Sequence, residues 1–386
     1  MINREKVMSS LSCTTKYLLN SVSQNGAWGI KDGTEWGPII TLMSVDYLIE
    51  CGQDIDEDWI VYQDSPFECN LRRCLCYLDA EIQSDGAFGS DLWDACKLGE
   101  LIERRSLHEY FTRYNLLKVY CIESIEQGNA NKLDTDWSGT GIIVSCIEYL
   151  LYLNQMEKAK ELFSIVVSHM QADGSFVGKR NKQNYSVVHP VWHVAQVVRL
   201  INNTPEFSSE PMNVRMLNWL INNQCDDGSF EYFSRFTYYY TGYGIIAYSF
   251  FPTVPDTNIN QAISYLIGHV DKLGCVGDSG GTIMTILAFA RLFSSTELNG
   301  MLEKAKAERW IVAVNDIKEL IAENESLKKK LEEVKSKIAS TEFTFTKKTV
   351  WILGIVITLL MLLLQVGVPV IMRLIFGADV TTGGVP

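Results

Sequence analysis

The sequence predicts an all-α protein assembled from repeated helix–turn–helix units, and three observations carry that expectation. A short phrase recurs: Gln24-Asn-Gly-Ala-Trp-Gly29, Gln83-Ser-Asp-Gly-Ala-Phe-Gly89, Gln171-Ala-Asp-Gly-Ser-Phe-Val-Gly178 and Gln224-Cys-Asp-Asp-Gly-Ser-Phe230, with a weaker copy at Leu273-Gly-Cys-Val-Gly277. Each copy follows one helix-patterned run and precedes another. The runs themselves alternate between two types, one amphipathic and one more uniformly apolar, as stacked like units require.

The turn explains itself chemically. Its glycine accepts the left-handed conformation that ends a helix, and the Asp or Asn before it can bond the local backbone. The aromatic that follows can fold back over the turn, and the Gln is expected to reach orphan amides at a neighbouring helix end.

Along the chain, the amphipathic runs cover about 4–23, 67–83, 155–171, 212–224 and 258–271. The apolar runs are Trp36–Glu50, Leu107–Glu123, Trp137–Leu153, Val191–Ile201, Tyr240–Phe250 and Gly280–Phe293. The first set is assigned to an outer ring and the second to an inner one. Several inner runs open with glycine: Gly37, Gly139 and Gly141, Gly242 and Gly244, Gly280 and Gly281. That clustering predicts either close backbone approach or a ligand at that end, with tight loops as the plainer account.

Beyond Phe293 the pattern changes. Trp310, Ala313, Ile317, Leu320, Asn324, Leu327, Leu331, Val334 and Ile338 alternate spacings of three and four, the seam of a coiled coil. Asn324 falls at an a position, where a polar side chain fixes register, and a parallel homo-oligomer through 310–340 is expected. A single long helix packed on the preceding domain is the other reading. Val350–Met372 carries no charge and is mostly Leu, Ile and Val. At about 1.5 Å per residue it is long enough to cross a bilayer core of about 30 Å. Lys347 and Lys348 precede it and only Arg373 follows, so the main domain is placed in the cytoplasm and the tail 373–386 outside. The expected organisation is therefore a helical domain over 1–293, a coiled coil over 294–341, a membrane span over 350–372 and a short tail.

At 386 residues the chain can hold one large domain with additions. A net charge of −12 excludes a sequence-independent nucleic-acid binder, which needs a basic face. The ten cysteines, among them Cys74, Cys76, Cys121 and Cys146, lie in apolar helical surroundings, and Met1–Lys16 does not read as a secretory signal. Reduced, buried thiols are the expectation. Cys74-Leu-Cys76 lacks a companion pair for zinc.

The repeated turn resembles the Gln/Trp repeat of the terpenoid-cyclase and protein-prenyltransferase superfamily, over roughly residues 4–293. The resemblance implies an α/α toroid, two concentric rings of helices. Within it, Asp134-Thr-Asp136-Trp-Ser-Gly-Thr140 resembles the Asp-x-Asp-Asp motif of class II terpene cyclases. That likeness implies Asp136 as the acid that protonates an alkene or epoxide and Asp134 as its supporting carboxyl, since neighbouring carboxyls in an apolar mouth cannot both ionise cheaply. Trp137 stands where the family has its last Asp, removing one supporting carboxyl. Capping of the following helix by Asp134 or Asp136 is the structural alternative.

Aromatic residues crowd the same ends. Trp36, Trp137 and Trp192 open three inner runs, and Phe236, Tyr238, Tyr239, Tyr240 and Tyr243 lead into a fourth. Such faces would hold an isoprenoid chain or stabilise a migrating cation, and they serve equally as core. His189 and His193 stand one helical turn apart without a third metal ligand, so a polar cavity wall or a partner for Asp136 is expected, and no metal or cofactor. Lys179-Arg-Asn-Lys182 could hold a diphosphate, with a solvated basic loop as the plainer account. Two functions follow: a membrane-anchored class II-like cyclase acting on a hydrophobic, isoprenoid-type ligand, or a non-catalytic toroid that senses a lipid or partner and couples to the coiled coil and membrane helix. A protein prenyltransferase ranks lower, because its zinc ligands have no match.

Overall fold

A computed structural model describes residues 3–29, 37–63, 66–129, 139–176, 190–231, 236–308, 326 and 328–333. The chain divides into two units, Met1–Val61 with Glu68–Lys306, and Tyr62–Phe67 with Ala307–Pro386.

Twelve α-helices form the two rings of the first unit. Six form an inner ring: α2 (Gly37–Glu50), α4 (Leu92–Arg105), α6 (Thr140–Tyr152), α8 (Pro190–Asn203), α10 (Thr237–Tyr248) and α12 (Ser279–Ala290). They pack in the order α2–α4–α6–α8–α10–α12, and α12 returns to α2. The outer helices are α1 (Arg4–Ser21), α3 (Leu71–Glu81), α5 (Tyr114–Glu126), α7 (Met156–Ser168), α9 (Glu210–Asn223) and α11 (Asp256–Gly268), each against an inner partner. The result is the α/α toroid. Two short strands, β1 (Trp59–Val61) and β2 (Phe67–Cys69), pair in the loop before α3.

The repeated turn builds the outer ring. In every copy the amide three residues before the glycine bonds a carbonyl four residues on, as from Gln83 to Ala87 at 2.8 Å and from Cys225 to Ser229 at 2.9 Å. The preceding acid or amide closes the turn from its side chain, Asp85 accepting from Ala87 and Asp227 from Ser229. The glycine then lies against the backbone of the next outer helix: Gly26 on α3, Gly86 on α5, Gly174 on α9, Gly228 on α11 and Gly274 on α1. Position 228 shows why glycine is required, since φ is +92° and a Cβ would strike the Gln261 carbonyl. The weak fifth copy is therefore a full member. After α5 the pattern lapses, and Gly128 (φ +72°) has nothing among the described residues within 4 Å of a Cβ.

The turn's aromatic is buried in all four strong copies, as Trp28, Phe88, Phe176 and Phe230, with Val276 in the fifth. In the first and fourth copies its amide bonds a threonine one turn into the following inner helix, Trp28 to Thr41 at 2.9 Å and Phe230 to Thr241 at 3.1 Å. The glutamine does not reach orphan amides as expected. Gln224 instead donates to the Gly228 and Asn258 carbonyls and accepts from Tyr248 and Asn258. It also stands four residues before its glycine, whereas Gln83 and Gln171 stand three before theirs.

Two assignments are corrected. The run Leu107–Glu123 was expected in the inner ring, but α5 is an outer helix whose Leu116 and Val119 face solvent. The inner helix of that unit is α4, whose charges suit a surface but face the ring axis. The first unit also runs past Phe293 to Lys306: helical residues 295–306 bury Leu298, Met301, Leu302 and Ala305, and Asn299 bonds the Cys51 carbonyl at 3.1 Å. Cys74, Cys121 and Cys146 are buried as free thiols, while Cys76 is exposed.

In the second unit, residues 328–333 are helical and exposed. The rest of the expected coiled coil over 310–340, apart from Ser326, and the whole span 350–372 lie outside the described residues. No helix among the described residues is long and apolar enough to cross a membrane.

Candidate functional site

All six inner helices run the same way, so their N-termini share one mouth. Trp192 at the start of α8 packs on Gly141 at the start of α6 and meets Trp93 of α4 edge-on at 5.8 Å. Phe230 packs similarly on Gly244. At these two positions the inner-ring glycines make room for aromatic side chains.

His193 is fully buried, and its Nδ1 accepts from the Gly141 amide at 3.2 Å. The ring thus satisfies one of the orphan donors of α6 and is neutral at that nitrogen. Tyr240 is buried against Phe236 and Tyr239. The Tyr239 and Tyr243 hydroxyls stand 3.3 Å apart. Among the expected site residues with described positions, only Tyr243 lines the cavity on the ring axis. Trp36, Asp134, Asp136 and Trp137 lie outside the described residues, as do His189 and Lys179–Lys182.

That cavity measures about 110 Å³ and has two unlike walls. One is apolar, from Ile39, Leu42 and Met43 on α2, Ile246 on α10, and Met284 and Leu287 on α12. The other is charged, from Asp46, Lys97, Glu100, Arg104 and Arg199, with Trp93, Gln196 and Tyr243 beside it.

The charged wall belongs to a continuous ladder. Arg199 donates to both Glu148 oxygens, at 3.0 and 2.6 Å. Lys97 joins Glu148 to Glu100, the latter at 2.7 Å. Arg104 links Glu100 at 3.3 Å to Asp46 at 2.8 Å, and Arg105 links Asp46 at 3.2 Å to Glu50. Signs alternate throughout, and the ladder ties α8, α6, α4 and α2 together. Burial alone would raise the Glu100 carboxyl, but Lys97, Arg199 and Arg104 overcome it and bring it down to about 2. Sequence reading missed this site. Its signal was a lone charge in the interior of three apolar runs: Asp46, Glu148 and Arg199.

A second carboxyl pair sits at the start of α4. Asp91 caps the helix by accepting from the Trp93 and Asp94 amides, at 2.8 and 3.3 Å. Asp94 is buried and accepts from the Ser90 amide and hydroxyl, at 2.6 and 2.9 Å. Burial first, and then the Asp91 charge, push its carboxyl up to about 7. No group of residues among those described is arranged to hold a metal ion.

No protein-family model matches this chain, and no curated protein matches it in sequence. Solved structures resemble it. The type II terpene cyclase MstE from Scytonema aligns with a TM-score of 0.52 at 10% identity, over 75% of this chain and 99% of that one. A variant of MstE in complex with geranylgeranyl dihydroxybenzoate, its substrate, aligns at 0.52 and 9% identity, over 77% and 99%. A protein from Actinoplanes aligns at 0.52 and 11%, over 74% and 99%. The likeness shows the fold. It agrees with the ring read from the helix contacts and with the terpenoid-cyclase-like architecture expected from the repeated turn.

Proposed function

We propose that the toroid binds a hydrophobic small molecule of prenyl type on its axis and acts as a binding module rather than a cyclase. The observation that carries this is the two-walled cavity, apolar along α2, α10 and α12 and charged along α4 and α8. At about 110 Å³ it is smaller than the ~300–1,000 Å³ typical of sites that enclose a whole ligand. It therefore takes the end of a chain whose remainder runs toward the N-terminal mouth, past Trp192 and Tyr239. The substrate-bound MstE structure supports a prenyl chain as the occupant of such a ring. Cyclisation is disfavoured by the lining, because a carbocation beside Glu100 and Asp46 would lose a proton to, or be captured by, a carboxylate.

On this reading the chain is a membrane-tethered receptor. Residues 350–372 would anchor it, 310–340 would bring copies together in parallel, and the toroid would face the cytoplasm. Titration of the full chain in detergent with radiolabelled geranylgeraniol tests the binding. Saturable binding is expected, weakened at least ten-fold by Leu42→Trp or Met284→Trp, which fill the cavity. Binding indifferent to both changes would place the ligand elsewhere.

One observation favours a second reading, acid-initiated cyclisation: Asp94 is buried beside Asp91, and that setting pushes its carboxyl up to about 7. Asp136, with Asp134 in support, is the motif-based candidate for the same role. Incubation with polyprenyl substrates tests it. Turnover lost in Asp94→Asn or Asp136→Asn would establish an acid, and no turnover by the wild type would remove the reading.

A further inference from the structure

We infer that the cavity selects a ligand whose buried end is an uncharged oxygen acceptor, such as an alcohol, ketone or quinone, and turns away the diphosphate or ammonium of the same chain. This rests on the binding reading above and deepens it.

The first ground is charge. The ladder holds four cations (Lys97, Arg104, Arg105, Arg199) and four carboxylates (Asp46, Glu50, Glu100, Glu148), each engaged by an opposite neighbour. The cations that face the cavity are already saturated: Lys97 by two carboxylates, Arg104 by two and Arg199 by both oxygens of one. Arg291, the further cation at that end, is stacked over Phe250 at 4.4 Å and does not line the cavity. A buried diphosphate would have to break existing pairs or remain uncompensated, and an ammonium would meet the same obstacle with reversed sign.

The second ground is the direction of the hydrogen bonds. The buried Trp93 indole N–H has no acceptor among the described residues, and an indole nitrogen can only donate. Gln196 accepts from Arg199 at 2.8 Å through its oxygen and bonds Tyr243 through its side chain, so it is already engaged. Trp93 lines the cavity, so one unpaired donor belongs to its wall. A neutral oxygen on the ligand would satisfy it without disturbing the ladder.

The experiment is competition against radiolabelled geranylgeraniol on the full chain, using geranylgeranyl diphosphate, geranylgeranylamine and a hydrocarbon of the same skeleton. The alcohol should bind at least ten-fold more tightly than the diphosphate or the amine. Trp93→Phe should weaken the alcohol several-fold and leave the hydrocarbon unchanged. Glu148→Gln, which releases Lys97 and Arg199, should raise the affinity of the diphosphate relative to the alcohol; if that variant does not fold, the Trp93→Phe comparison stands alone. A diphosphate that binds as tightly as the alcohol, or a Trp93→Phe change that weakens hydrocarbon and alcohol equally, would overturn the inference and leave the binding reading intact. Binding of none of these compounds would overturn both.

Discussion

Glu148 of α6 holds Arg199 of α8 through both carboxylate oxygens, and it is also the anion that fixes the Lys97 ammonium of α4. Three neighbouring inner helices thus depend on one side chain. Such a contact is worth less than its loss suggests, because pairing offsets a large desolvation cost. Glu148→Gln should therefore destabilise the toroid by about 3–5 kcal/mol, by stranding Arg199 and leaving Lys97 with Glu100 alone. Replacing Lys97, Glu148 and Arg199 together with Met should restore most of that loss. Urea unfolding of both variants checks the pair of outcomes.

The glycine turns offer a matched comparison. Gly228 and Gly128 both have positive φ, but only Gly228 abuts a neighbouring helix. Gly128→Ala should cost about 1–2 kcal/mol, the strain of the left-handed conformation alone. Gly228→Ala should cost clearly more, since the Gln261 backbone must also move. Thermal melts of the two variants should rank in that order.

The Asp94 carboxyl, raised from 3.8 to about 7, predicts a sign. A folded state that binds a proton more tightly than the unfolded chain loses stability as pH rises. Relative to Asp94→Asn, the wild type should therefore weaken between about pH 4 and pH 7 and level off above. Denaturation at several pH values measures this. A wild type that loses stability relative to Asp94→Asn as pH falls from 7 to 4 would contradict the raised carboxyl.

Much of this was legible in the sequence, for a physical reason. A helix end that needs φ > 0 against a neighbouring backbone leaves glycine little choice, so Gly26, Gly86, Gly174, Gly228 and Gly274 mark the outer ring. The position of α4 was not legible. Its Lys97, Glu100 and Arg104 look like a solvated face, whereas they point to the axis and meet partners such as Asp46, Glu148 and Arg199 that only the closed ring brings near. The reverse error came from Leu116 and Val119, apolar residues that α5 leaves on the surface. The glutamine of the repeat caught the eye, but the glycine and its Asx partner define the turn.

The C-terminal proposals can be tested apart from the toroid. Membranes washed with alkaline carbonate should retain the full chain and release one ending at residue 345. Cross-linking should give dimers or small oligomers, with Asn324→Leu loosening the choice among them. Release of the full chain would sink the anchor, and monomer alone would sink the coiled coil.

The central claim is that the ring axis is a ligand site, and photo-crosslinking tests it most directly. A prenyl alcohol with a diazirine near its hydroxyl, irradiated on the full chain and mapped by mass spectrometry, should label Trp93, Tyr243 or Met284, with excess geranylgeraniol suppressing the signal. Labelling confined to the outer face, at Leu116 or Val119, or labelling that excess ligand leaves unchanged, would contradict it.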